Sequence, residues 1–343
     1  DPGPIDFEIS VRNDLPNLQP YKRLMVEDVV VVSSHEPSMG YIGQFLYGDS
    51  NTTYWDYVIK NTGAVNAGRF SDRLYVDGVA YPTILHLAGL ESWGEYGYSG
   101  STPTTVRGGR HTVGLMTEVG QDIDEVLEKD NAYVRQFHWQ PADLWYGGSL
   151  TRAAPPARDA GWKLADPGQE LLPNFDALRL PAHDPTGGDD HWWRGLAVLP
   201  EAGTDLELTL LTPYIASTSG FADTLATSNQ IAGRTDFVAV NMNLVDDPSG
   251  PYDVGIARDA GTGSYTANAA GSILLPQQTS GAHGPFQLGS GELLHLMEVE
   301  LDPGLLGNRI EKGRFVRKVS ERRRRRDPGV PSERAHTHCF GPL

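Results

Sequence analysis

Cysteine is almost missing from this chain of 343 residues: there is one, Cys339, near the end. An intrachain disulfide is therefore excluded, and so is a zinc site built on cysteine pairs. Long apolar runs are missing too. No stretch approaches the roughly 18 consecutive apolar residues of a membrane helix, so no membrane span is expected. Short patterns that carry common chemistries are also absent. "GYSGS" (97–101) has the wrong order for a nucleophile elbow and reads as a Gly/Ser hairpin. "HEPSM" (35–39) lacks the second histidine of a zinc-protease helix, and Pro37 would break that helix. Neither a phosphate loop nor a dinucleotide fingerprint occurs. The expectation is a chain without a catalytic centre of its own.

What is plentiful is turn chemistry. The 39 Gly and 24 Pro suit many short strands joined by tight turns better than long helices. Charge is unevenly spread. Residues 303–343 hold 11 Lys+Arg against 4 Asp+Glu, a net of +7, so the first 302 residues carry −23 of the overall −16. A body that acidic repels phosphate backbones, and no nucleic-acid partner is expected. It suits a secreted or cell-surface protein, or one that gathers divalent cations. The opening "DPGPIDFEIS" reads as a mature start or an internal fragment.

Period-2 patterns dominate residues 50–140. In "YWDYVIKN", Trp55, Tyr57 and Ile59 face one way, against Asp56, Val58 and Lys60. Phe70, Leu74 and Val76 share a face before the hairpin signal Asp77-Gly78. His111, Val113 and Leu115 form another set, as do Tyr133, Arg135, Phe137 and Trp139. "VEDVVVVSS" adds an N-terminal edge strand within a 1–49 extension. The Ala/Pro-rich "SLTRAAPPARDAG" reads as the core of a linker over 141–161. A second strand-rich block fills 162–272, with Leu206, Leu208 and Leu210 on one face. Residues 273–302 open a third module that never completes. From 303 the pattern gives way to a disordered basic tail containing "RRRRR" and "HTHCF", the kind of break a shifted reading frame or a truncated gene end produces. The fold class is all-β: tandem β-sandwiches, the first immunoglobulin-like and the second jelly-roll-like.

The ordered features "YVIKNTGAVNAGRF", "LYVDG", "GGRHTVGLM" and "DIDEVLEKDNAYVRQFHW" resemble CARDB, the cell adhesion related domain found in bacteria. That resemblance implies an immunoglobulin-like seven-stranded sandwich with an acidic loop before its last strand. In one departure, Glu118 stands where the family commonly has Asp, which argues against carrying metal binding to that position. More loosely, "WWRGLAVLPEAGTDLELTL … DFVAVNMN … YDVGIA" resembles the bacterial pre-peptidase C-terminal type of sandwich. That likeness implies a neighbour of catalytic domains in secreted proteases, and no site residues.

Three groups of residues invite a functional reading. Asp122, Asp124, Glu125, Glu128, Asp130 and Asn131 offer oxygens for calcium within one loop, though at no EF-hand spacing; a solvated acidic loop is the plainer reading. Asp184, Asp189, Asp190, Asp246, Asp247 and Asp253 rank second, with His183 and His191 flanking the first stretch. Trp192 and Trp193, with Trp139 and Trp145, suggest a sugar platform, yet adjacent residues of a strand face opposite ways, so core packing competes. The Asn61-Thr62-Gly63 corner has no nucleophile or base beside it and reads as a turn, with glycine accepting φ > 0. The expected role is adhesion, binding or spacing, with an extracellular protein or polysaccharide as partner. Two alternatives stand beside it: the accessory region of a secreted hydrolase, and a carbohydrate-binding module.

Overall fold

The computed structural model describes residues 14–24, 28–34, 45–49, 51–86, 88–181, 193–212, 214–216, 220–221, 224–241 and 251–272. The third module, the basic tail and the acidic stretches around 184–190 and 246–247 lie outside them.

The first sandwich begins earlier than its sequence pattern. β1 (Leu18–Pro20) and β2 (Val30–Ser33) share one edge of β3 (Thr53–Asn61). β7 (Glu95–Thr104) takes the other edge of β3. The facing sheet is built on β4 (Phe70–Val76), with the short β5 (Val79–Ala80) and β6 (Ile84–His86) along its outer edge. β8 (Gly109–Thr117) and β9 (Ala132–Trp139) complete that sheet, and every pairing is antiparallel. The alternation read in β3 is the observed one: Trp55, Tyr57 and Ile59 are buried, with Thr53 and Asn61 on the same face. Asp77 (φ 49°) and Gly78 (φ 73°) form the two-residue turn between β4 and β5, the conformation that matches strand twist.

In the second sandwich, β10 (Ser149–Ala153), β19 (Ser264–Ser272), β12 (Trp193–Pro200) and β17 (Asp236–Asn241) form one sheet in that order. β16 (Thr224–Asn229), β13 (Asp205–Leu211), β18 (Tyr252–Ala260) and β11 (Phe175–Leu180) form the other. A separate hairpin joins β14 (Tyr214–Ala216) and β15 (Gly220–Phe221). Leu206, Leu208 and Leu210 of β13 point together into the core, as the spacing predicts.

Two expectations need correction. Residues 149–153 are not linker: β10 pairs residue by residue with β19, and Leu150 packs on the second core. A single leucine per strand gives too faint a pattern to read in a Pro/Ala-rich stretch. "GYSGS" is no hairpin either, because it lies inside β7 and follows β3 across a register shift. Glycine there spares a strand rather than turning it.

The sandwiches are not beads on a string. β11 pairs with the first residues of β8 (Phe175 opposite Arg110, Asp176 opposite Gly109), so one nine-stranded sheet runs through both.

Candidate functional site

Chemistry in the first sandwich starts at the corner after β3. Asn61 is fully buried, and its side chain uses both ends. Oδ1 accepts from the amides of Asn17 and Gly63, both at 3.0 Å, while Nδ2 donates to the carbonyls of Val65 (2.9 Å) and Leu90 (3.1 Å). Buried backbone groups at a strand end need such partners, and one amide side chain supplies four bonds. Gly63 is required for a different reason from the one the sequence suggests. Its φ is not positive; a Cβ would stand 2.5 Å from backbone atoms of Leu15 and Pro16. The corner is structural.

Against this corner lies the acidic loop between β8 and β9. Glu125 Oε1 accepts from the Leu18 amide and Oε2 from Asn131 Nδ2, both at 2.6 Å. Asn17 Nδ2 donates to Asp130 Oδ2 at 2.9 Å, and Asn17 Oδ1 accepts from the Leu127 amide at 3.0 Å. Glu118, at φ 53°, turns its carboxylate back onto the amides of Asp122 and Ile123. Burial pushes the Glu125 carboxyl up to about 7, and raises Glu118 and Asp130 above their ordinary values. Asp122, Asp124 and Glu128 instead face solvent. The six predicted calcium ligands are therefore spread: Glu125, Asp130 and Asn131 stitch the loop to the β1 segment and to itself, Glu128 Oε1 accepts from the Glu125 amide at 3.1 Å, and Asp122 and Asp124 are exposed. Among the described residues no three His, Cys, Asp or Glu side chains are grouped to hold a metal.

A second polar cluster sits where the sandwiches meet. The outer edge of β8 is shared by β4 (from Val113 onward) and β11 (at 109–110), which leaves a gap at His111 and Thr112. Asp77 fills it. Its carboxylate accepts from the Thr112 amide at 2.9 Å and meets His111 Nδ1 at 2.6 Å. Burial lowers the His111 pKa, but the carboxylates of Asp77 and Asp176 outweigh that and raise it overall. Beside it, fully buried Asp176 pairs with Arg107 (2.6 Å), and Arg152 pairs with Asp49 (2.5 Å). Backbone approach is closest at Gly109 (φ 133°), where a Cβ would collide with the Phe175 carbonyl.

Other expected residues scatter. Trp139 is buried, with its indole N–H on Thr53 Oγ1 (3.1 Å), and so offers no sugar platform. Trp145 is 38% exposed, and Trp93, which sequence reasoning passed over, is 67% exposed. Asp253 is buried and paired with Arg179 directly across the β11–β18 ladder (2.8 and 3.1 Å). Asp184, Asp189, Asp190, Asp246, Asp247, His183, His191 and Trp192 lie outside the described residues, as does the side chain of Trp193. A further buried group went unnoticed. Asp72 accepts from the Tyr57 hydroxyl and meets His86 Nε2 at 2.6 Å. The β4 alternation that marked Phe70 and Leu74 places Asp72 on the same inward face.

Residues 41–135 match the family model CARDB. The first sandwich is CARDB-like. Among solved structures, the chain resembles the CARDB domain of a Pyrococcus furiosus protein described as a complex with di-metal ions. That likeness has 15% identity over 38% of this chain and 97% of the other, at a TM-score of 0.28. It also resembles the pre-peptidase C-terminal domain of a Bacillus anthracis collagenase, at 13% identity over 38% of this chain and 95% of the other, with a TM-score of 0.24. A third likeness is to carbohydrate-binding modules of the β-sandwich superfamily, at 9% identity over 75% of this chain and 97% of the other, with a TM-score of 0.20. At these scores no site is transferred. No curated protein matches the chain. Among the described residues no helix is long and apolar enough to cross a membrane.

Proposed function

We propose that this chain is a non-catalytic spacer and adhesion module of a secreted or cell-surface protein, one that holds a binding surface at fixed geometry. The observation that carries this reading is the nine-stranded sheet shared by the CARDB-like sandwich and its neighbour. A flexible linker would let the two reorient; the β8–β11 pairing, with the Arg107–Asp176 and Arg152–Asp49 ion pairs that also bridge the sandwiches, opposes a hinge there. The partner is an extracellular protein or polysaccharide.

Scanning calorimetry of the full chain tests the rigid coupling. One cooperative transition is expected to cover both sandwiches, with equal calorimetric and van't Hoff enthalpies. Two resolved transitions for the two sandwiches would defeat it. The strand pattern of the second sandwich supports a second reading, in which the same spacer serves a secreted hydrolase. Measured turnover of peptide or glycoside substrates by the full chain would displace both.

A further inference from the structure

Charged side chains from both sandwiches gather where the two join. The first sandwich supplies Asp49 ahead of β3, Asp77 in the β4–β5 turn, Arg107 just before β8, and His111 within it. The second supplies Arg152 of β10 and Asp176 of β11. Two pairs cross the junction, Arg107 with Asp176 at 2.6 Å and Arg152 with Asp49 at 2.5 Å. Asp77 and His111 form the third, also at 2.6 Å, with the histidine only 2% exposed. His111 feels a second carboxylate as well, that of Asp176 from the other sandwich. Tyr265 of β19 lies beside these charges, and Trp139 meets the His111 ring edge-on at 5.5 Å. Arg110, next along β8, turns instead to His138 and the Phe175 ring.

Among the described residues, three carboxylates thus stand with three cations, and the balance holds only while His111 carries a proton. Both arginines stay charged at any ordinary pH, whereas an imidazole changes charge near neutrality. A buried charge left without its partner is strongly destabilising.

We propose that His111 is a pH-operated clasp on the junction: as imidazolium it ties Asp77 of the first sandwich to Asp176 of the second, and on losing its proton it lets β11 part from β8. The inference rests on the rigid-spacer reading and makes that rigidity depend on the medium. Burial of the ring lowers the His111 pKa, but Asp77 and Asp176 together raise it above the ordinary 6.5. The closed junction therefore holds this proton more tightly than an open one. Its extra stability is full below about pH 6.5 and is lost as pH rises through the higher native value. Burial raises Asp176 too, so a proton there would act with the same sign.

The Ala177 amide donates to the Gly108 carbonyl across the junction at 2.6 Å, so its hydrogen exchange reads the opening directly. In the isotope-labelled full chain, Ala177 should be less protected than the amides of β13. Its protection factor should fall about tenfold between about pH 6 and 9, in step with the NMR titration of the His111 ring. His111→Gln, uncharged throughout, should abolish that fall and so separates His111 from Asp176. Asp77→Asn, which suits the same positive φ, should move the fall to lower pH. A protection factor that does not change with pH overturns the clasp, as does a fall that survives His111→Gln. Protection at Ala177 equal to that of β13 means that the ladder opens only with the whole fold, which overturns the clasp and leaves the spacer reading standing. An Ala177 amide unprotected even at about pH 6 overturns both.

Discussion

The two sandwiches share an architecture and differ in how their cores are closed. The second is packed mainly by aliphatic side chains from both sheets, with Leu178, Leu180, Leu196, Leu208, Val254 and Ile256 all essentially inaccessible, alongside Tyr252, Tyr265 and the buried charges of Arg194, Asp236 and Asp253. The first is built on Trp55, Tyr57, Phe70, Phe137 and Trp139, and it buries Asp72, His86, His111, Glu118 and Glu125 besides. Hydrophobic burial is non-directional, so an aliphatic core is specified by volume and pattern. A core that contains carboxylates and amides is specified by direction, since each buried donor and acceptor must find its partner. The first sandwich should therefore be brittle where the second is forgiving.

The largest effect is expected where the two meet. Gly109→Ala drives a methyl group into the Phe175 carbonyl at a φ that side chains rarely adopt. A loss of about 4 kcal/mol or more is expected, with the single calorimetric transition splitting in two as β11 leaves β8. An unchanged transition would mean that the shared ladder does not couple the sandwiches. Next comes Asn61→Ala, which strands two amides and two carbonyls in a buried corner. Denaturant unfolding should show a cost of about 3–5 kcal/mol.

In the second sandwich the contrast lies between two changes at one site. Leu208→Ala should cost about 2–5 kcal/mol, yet Leu208→Met less than about 1.5, because volume and not direction holds that core. Equal losses for the two would show the aliphatic core to be as particular as the polar one.

Smallest, and the most informative about the loop, is Glu125→Gln, with an expected loss of about 1–3 kcal/mol from a donor facing Asn131 Nδ2. Burial raises the native Glu125 pKa to about 7 from an ordinary 4.5, so the native state binds a proton more readily than the unfolded chain does. Its contribution to stability is full below about pH 4.5 and is lost as pH rises through 7. Glutamine has no such term, so the deficit of the variant should widen on acidification from pH 8 to 5. The deficit should also be the same in calcium and in excess chelator, because the loop closes onto amides. A deficit that appears only with calcium would turn the loop into a cation site.

Much of this was legible beforehand, for local reasons. Trp55, Tyr57 and Ile59 declare their face because a strand alternates strictly, and Asp77-Gly78 declares a turn because few residue pairs accept two positive φ values. Leu206, Leu208 and Leu210 are readable for the same reason. The acidic loop was legible as a loop but not as a latch, since its partners Asn17 and Leu18 are more than a hundred residues away in sequence. β10 was missed because its one inward leucine and its pairing with β19 leave almost no local trace.

By itself, then, the sequence determined the all-β class, the faces of the long strands and the position of the tight turns, all of which depend on neighbours two or four residues apart. Tertiary structure alone decided that Asp72 would meet His86, that β11 would join the edge of β8, and that Asp77 would close the gap at His111 and Thr112. Those outcomes depend on which distant groups arrive at the same place, and burial then makes each pairing, or its absence, count.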